Sequence, residues 1–125
     1  MSTQMKKNSE IQKLSWETIE KEQLSEYLSR QAVFGEKGTV VQFFARKGAT
    51  ATRHSHDNEE YALITSGKLK FTFDDREVVA KAGDVLVIPA NVPHTMVALE
   101  DVLLVEFFAP AREDWIRGED QYLRG

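Results

Sequence analysis

The sequence predicts an all-β fold, an antiparallel sandwich or barrel. Three observations carry that reading. Short apolar runs follow one another closely, Gly, Pro and Asp punctuate them, and Lys68 to Phe73 alternates with a period of two. In that run Leu69, Phe71 and Phe73 point one way and Lys68, Lys70 and Thr72 the other, the pattern of a half-buried strand.

Taken in order, residues 1–13 read as a flexible N-terminal tail, polar and lysine-bearing, and 14–125 as a single domain. Leu14 to Tyr27 is ambiguous. Trp16, Ile19, Leu24, Tyr27 and Leu28 partly match a helical stripe, so a strand or turn near Trp16 and a helical turn over Glu22 to Tyr27 are expected. Leu28 to Phe34 then alternates as a strand, and Gly35-Glu36-Lys37-Gly38 turns it. Thr39 to Arg46 is rich in Val and Phe and stops at Lys47-Gly48. Tyr61 to Ser66 and Lys68 to Phe73 flank Gly67, and Asp74-Asp75 signals a hairpin. Arg76 to Ala80, Asp84 to Ile88, His94 to Leu99 and Val102 to Phe108 complete the strands. Arg112 to Gly125 reads as a polar tail anchored by Trp115, Ile116, Tyr122 and Leu123.

A chain of 125 residues has room for one domain and one core. Hydrophobic content of 42% with 29% charged residues describes a soluble globular protein. A net charge of −4 offers no basic footprint for nucleic acid. There is no apolar stretch of about 18 residues and no apolar core to the polar start, so neither a membrane span nor a signal peptide is expected. The absence of cysteine fits a reducing cytoplasm.

All three histidines fall inside two short motifs. The first is Gly48-x5-His54-x-His56-x3-Glu60-x6-Gly67 and the second Gly83-x5-Pro89-x-Asn91-x2-His94. Two residues apart on a strand, His54 and His56 share a face, and Glu60 keeps that parity if the ladder continues. Glu59 is the close competitor; parity assigns it to solvent or to orienting a histidine. His94 must arrive from another strand. Three neutral imidazoles and a carboxylate suit one divalent transition metal, Mn, Fe, Ni, Co, Cu or Zn, better than Ca or Mg. The plainer alternative is a metal-free barrel whose histidines fill its mouth.

The first motif resembles the first signature of the cupin superfamily at every position, and the second resembles the second. Asn91 stands where the family has Gly, a swap that Asn tolerates because it visits left-handed conformations. Ala98 stands where the family has a trailing Asn. The resemblance spans Leu28 to about Phe108. It implies a double-stranded β-helix, the cupin jelly-roll barrel, flanked here by a short N-terminal extension and a C-terminal tail. It also implies metal ligands at His54, His56, Glu60 and His94.

A narrower resemblance runs from Leu103 to Asp114, which looks like the matching stretch of the small uronate-processing cupins of the KdgF type. Those proteins help to open 4,5-unsaturated monouronates released by polysaccharide lyases. Their acidic, aromatic and arginine site residues match Glu106, Phe108 and Arg112, with Glu106 replacing Asp and Glu60 replacing a frequent Gln. The implied roles are proton transfer for Glu106, contact with substrate for Phe108, and a two-bond grip on a substrate carboxylate for Arg112. The plainer readings are core packing for Phe108 and a surface pair with Glu113 or Asp114 for Arg112.

Met96 shares the parity of His94, so it lines the pocket or simply packs. Arg53 points away from the ligands, and Ser55 is turned from them, so no Ser-His-Asp triad forms. Trp115 and Tyr122 cap the barrel or a dimer seam, or merely pack. No glycine-rich phosphate loop opens a helix. The sequence therefore leads to a metal-dependent enzyme acting on a small carboxylated substrate. An Fe- or Ni-dependent dioxygenase and a non-enzymatic sugar-binding or sensor domain stand as alternatives. A homodimer is expected, because cupin barrels commonly pair through sheet edges or faces.

Overall fold

The computed structural model describes residues 7–124. Residues 1–6 of the expected tail lie outside them. Residues 7–13 are exposed, and Asn8 makes an isolated bridge to Gly35.

The fold is all-β, with two antiparallel sheets facing each other as a jelly roll. The strands are β1 (Glu22–Gln23), β2 (Leu28–Phe34), β3 (Thr39–Ala45), β4 (Thr50–His54), β5 (Glu59–Ser66), β6 (Lys68–Phe73), β7 (Glu77–Lys81), β8 (Val85–Ile88), β9 (His94–Ala98) and β10 (Val102–Ala109). One sheet runs β1-β2-β3-β10-β5-β8 and the other β4-β9-β6-β7. A single helical turn, α1 (Glu113–Ile116), and a 3-10 turn at Gln121–Leu123 follow. No helix among the described residues is long and apolar enough to cross a membrane.

The core lies between the sheets and is filled by the inward row of each strand. Val41 and Phe43 of β3, Ala62 and Ile64 of β5, Leu69 and Phe71 of β6, and Leu104 and Phe108 of β10 are all buried. Alternation explains why. Period-two side chains put one apolar row inside, and the two rows interdigitate. The half-buried pattern expected of β6 is observed at Leu69 and Phe71.

One expectation is corrected. Glu22 to Tyr27 forms no helical turn; Glu22 and Gln23 pair in register with Arg30 and Ser29 of β2. A helix of six residues has too few hydrogen bonds to sustain itself, whereas the ladder and the Glu22–Arg30 ion pair at 3.0 Å hold an extended chain. Strand β2 is buried on both faces. Its outward row is covered by the turn at Ser15 to Ile19, where Gln31 Nε2 donates to the carbonyls of Trp16 and Ile19 at 2.6 and 2.7 Å.

The motif glycines close the turns. Gly67, between β5 and β6, has φ +86°, and a Cβ there would lie 2.1 Å from the Asp101 carbonyl oxygen. Gly83 has φ +90° with open space around it. Asn91 takes φ +67°, the left-handed conformation expected of it. Gly83→Ala should therefore cost about 1–2 kcal/mol of backbone strain, and Gly67→Ala about 3–5 kcal/mol because a backbone clash is added. Thermal unfolding of the two variants should show Gly67→Ala melting well below Gly83→Ala; equal shifts would refute the clash.

Candidate metal centre

The two motifs meet because β4 and β9 pair. His54 ends β4 and His94 begins β9, and the two stand directly opposite in the ladder. His56 follows just past the strand end, where the Asn91 N–H donates to its carbonyl at 2.7 Å. That bond ties the loop of the second motif to the first. A register irregularity interrupts the β4–β9 ladder between Ala51 and His54.

Each imidazole is held from behind. His54 Nδ1 lies 2.6 Å from the Thr52 carbonyl, His56 Nδ1 3.0 Å from that of Asn58, and His94 Nδ1 2.8 Å from that of Val92. A carbonyl only accepts, so each Nδ1 carries a proton and each Nε2 faces the cavity, offering a lone pair whenever the ring is neutral. One ligand atom from each ring lies within 4.8 Å of the others. This is the donor arrangement a divalent transition metal takes, with the tautomer fixed as in known histidine sites.

Glu60 is buried on β5 with Oε1 3.2 Å from His56 Nε2 and 3.6 Å from His94 Nε2. It thus touches two of the three rings. Glu59, its sequence neighbour, is exposed and bonded to the Tyr61 hydroxyl. The expected preference for Glu60 over Glu59 agrees with this placement, although the ladder does not continue from His54 and Glu60 stands on a separate strand, β5.

The electrostatics suit a cation. Burial lowers the His54 pKa to about 4, so that ring is neutral at physiological pH. His94 is also penalised by burial, yet the adjacent Glu60 carboxylate outweighs this and raises it. A carboxylate that favours a proton there equally favours a metal ion. Glu106 is buried beside Glu60, and burial together with that negative neighbour holds its carboxyl well above the usual range. Glu60 is held below it, despite burial, by hydrogen bonds from Glu106 and the two histidines. These opposite shifts favour ionisation of Glu60 over Glu106.

Glu106, Phe108, Met96 and Arg112 line the same cavity as His54, Glu60 and His94. Phe108 stands edge-on to His56, ring centroids 5.6 Å apart, and lies under the Arg112 guanidinium at 4.5 Å. Arg112 is fully buried, not at the surface. Its Nε and Nη2 grip Asp114 at 3.0 and 2.9 Å, and Nη2 also meets the Tyr122 hydroxyl. The edge that would clamp a substrate carboxylate holds Asp114 instead, and Nη1 makes none of these bonds. Arg53 pairs with Asp74 in solvent, as its parity requires.

Sequence reasoning missed one supporting residue. Asn58 is buried and donates to the Pro110 and Ala111 carbonyls at 2.7 and 3.3 Å, tying the first motif to the C-terminal segment. It is not a signature position, so only the tertiary structure shows it. Asp114 is one of the two partners expected for Arg112, but the pair forms with the arginine buried rather than at the surface.

A model of the cupin domain matches residues 41–109, and the chain belongs to that family. An RmlC-like cupin from Shewanella frigidimarina is similar over 82% of this chain and 93% of its own, with 29% identity and a TM-score of 0.76. KdgF from Halomonas sp. is similar over 81% and 96%, with 23% identity and a TM-score of 0.74. The polyketide cyclase RemF from Streptomyces resistomycificus is similar over 81% and 80%, with 14% identity and a TM-score of 0.68. The last two likenesses are of fold. Comparison with curated protein sequences gives no match.

His56→Ala should sharply lower cobalt or zinc uptake measured by elemental analysis, and Glu59→Gln should leave it unchanged. Equal losses would shift the carboxylate role to Glu59. Metal uptake should also fall on acidification. A ligating imidazole is neutral, and free imidazole titrates near 6.5, so protons displace metal below about that pH. In metal-free protein two effects oppose each other. His54, with its lowered pKa, contributes stability above about pH 6.5 that is lost as pH falls toward about 4. His94, with its raised pKa, contributes stability at low pH that is lost as pH rises through its folded value. The gap in melting temperature between metal-loaded and metal-free protein should therefore close between about pH 7 and 4. A constant gap would refute imidazole ligation.

Proposed function

We propose that the protein is a metal-dependent enzyme acting on a small carboxylated, sugar-like substrate, with ring opening or isomerisation of an unsaturated uronate as the specific reaction. The observation that carries this reading is the convergence of Glu106, Phe108 and Arg112 on the cavity that holds His54, Glu60 and His94. The likeness to KdgF of Halomonas supports it. The three Nε2 atoms, with Glu60 beside them, would hold the ion, and the ion would polarise a carbonyl or hydroxyl oxygen as a Lewis acid.

The chain's own residues supply the remainder. Burial and the neighbouring Glu60 shift Glu106 toward its protonated form, which suits it to give up a proton as a general acid and take one back as a base. Phe108 and Trp115 both pack against the Arg112 guanidinium, at 4.5 and 4.3 Å, and restrict its position. Asp114 fixes its outer edge, which leaves Nη1 to bind a substrate oxygen. Met96 forms part of the wall beside His94.

A second reading has its own observation. Leu28, Phe43, Phe71 and Leu104 make the cavity floor apolar, which favours a substrate with an apolar body and a dioxygenase of cupin type. Oxygen uptake assayed beside unsaturated-uronate turnover separates the two. For the leading reading, Glu106→Gln keeps the shape and a donor toward Glu60 but cannot transfer a proton. It should retain metal and lower kcat on an unsaturated uronate by about 100-fold or more, with little change in KM. Full activity would refute the role of Glu106.

We also propose a cytoplasmic homodimer. The lack of cysteine supports the location. The outer face of the six-stranded sheet supports the dimer: Leu63, Val85, Val87 and Phe107 are exposed there, with Tyr61 between them, and β8 is an edge strand. Light scattering should give twice the chain mass, and Val87→Glu should halve it. A monomeric native protein would refute the dimer.

A further inference from the structure

The cavity is covered by the chain's own C-terminal segment. Tyr122 lies flat on His54, with ring centroids 4.0 Å apart and planes 19° from parallel. Its hydroxyl accepts from Trp115 Nε1–H at 2.9 Å and from Arg112. Trp115 and Leu123 complete that wall. The cavity beneath measures about 40 Å³. One water needs roughly 10–15 Å³. A few waters therefore fit beside the histidines, and a monosaccharide does not.

The cover is fastened. Asp120, two residues before Tyr122, receives Arg30 Nη2 at 2.6 Å, with both side chains 1% exposed. Arg124 adds bonds to Asp120 at 3.0 Å and to Glu22 at 2.9 Å. Glu22 in turn receives Arg30 Nε at 3.0 Å. Four charges from the first strands and the last residues thus form a closed ring. Removing one buried partner leaves an uncompensated charge, so the ring keeps the segment seated.

We propose that Tyr122 sets the size of ligand admitted to the metal cavity, and that the Arg30–Asp120 pair holds it in place. With Tyr122 seated, water and small ions reach the histidines. A larger ligand enters only when residues 120–123 lift. The ring of Tyr122 does this, because the ring covers His54, and the hydroxyl serves only to dock on Trp115 and Arg112. The proposal rests on reading His54, His56 and His94 as a metal centre, and the second arm of its test does not need that reading.

In the first arm, cobalt-loaded wild type, Tyr122→Phe, Tyr122→Ala and Asp120→Asn are mixed with pyridine-2,6-dicarboxylate, and cobalt release is followed by absorbance. Azide binding serves as the small-ligand control. Tyr122→Ala and Asp120→Asn should release cobalt to the dicarboxylate about ten times faster. Cobalt association should quicken equally, so affinity is unchanged. Tyr122→Phe should behave as wild type, and azide should bind all four alike. Release from Tyr122→Ala at the wild-type rate overturns the proposal. Faster release with weaker affinity and unchanged association also overturns it, since Tyr122 would then merely position His54. In the second arm, metal-free proteins react with diethyl pyrocarbonate, and modification of His54 is timed by mass spectrometry. Tyr122→Ala should react about ten times faster than wild type or Tyr122→Phe; equal rates overturn the proposal. If the wild type takes up no cobalt, the metal reading fails and this arm alone decides.

Discussion

Three hydrogen bonds from imidazole Nδ1 atoms to the backbone carbonyls of Thr52, Asn58 and Val92 set the geometry of the cavity. An imidazole has two nitrogens, and its chemistry depends on which one holds the proton. Binding the proton to the backbone turns every Nε2 toward a common point. The acceptors lie two residues from their histidines in each case, so the rings are oriented by the same short stretches of chain that carry them. The β4–β9 ladder then has only to bring those stretches together. Here backbone and site chemistry are a single structure.

The carboxyl groups obey a second constraint. Glu60 faces the imidazoles, and Glu106 lies behind it on β10, where Phe108 rather than Glu106 is the direct register partner of Glu60. Two buried carboxylates cannot both ionise without a cation between or beside them. The histidines favour the charge on Glu60, while burial and Glu60 itself favour the protonated form of Glu106.

Much of this was legible in the chain. The two motifs named His54, His56, Glu60 and His94, and the fold brings the four together, though not by strand parity: β4 ends at His54, His56 lies past it, and Glu60 stands on β5. The turns at Gly67, Gly83 and Asn91 were legible because residue type alone permits their left-handed conformation. The environment of Arg112 was not. Its role depends on Asp114, Tyr122, Phe108 and Trp115, which converge only when the C-terminal segment folds back over the barrel. The helical reading of Glu22 to Tyr27 failed similarly. Local propensity in a polar stretch is weak, and a partner eight residues on, Arg30, decided its form. Period-two patterns thus announced the barrel, whereas contacts made by irregular segments left no periodic trace.

The Arg30–Asp120 pair has a consequence for truncation of the chain. Arg30 sits in the inward row of β2 and has one further nitrogen, Nη1, buried without a partner. Glu22, eight residues upstream, offers Arg30 one carboxylate, but that side chain is partly exposed, whereas Asp120, 90 residues downstream, is buried as deeply as Arg30 itself. A chain cut short before Asp120 would lose that buried counter-charge and the Tyr122 cover together. Enclosure of the candidate metal site and burial of Arg30 thus depend on the same few terminal residues.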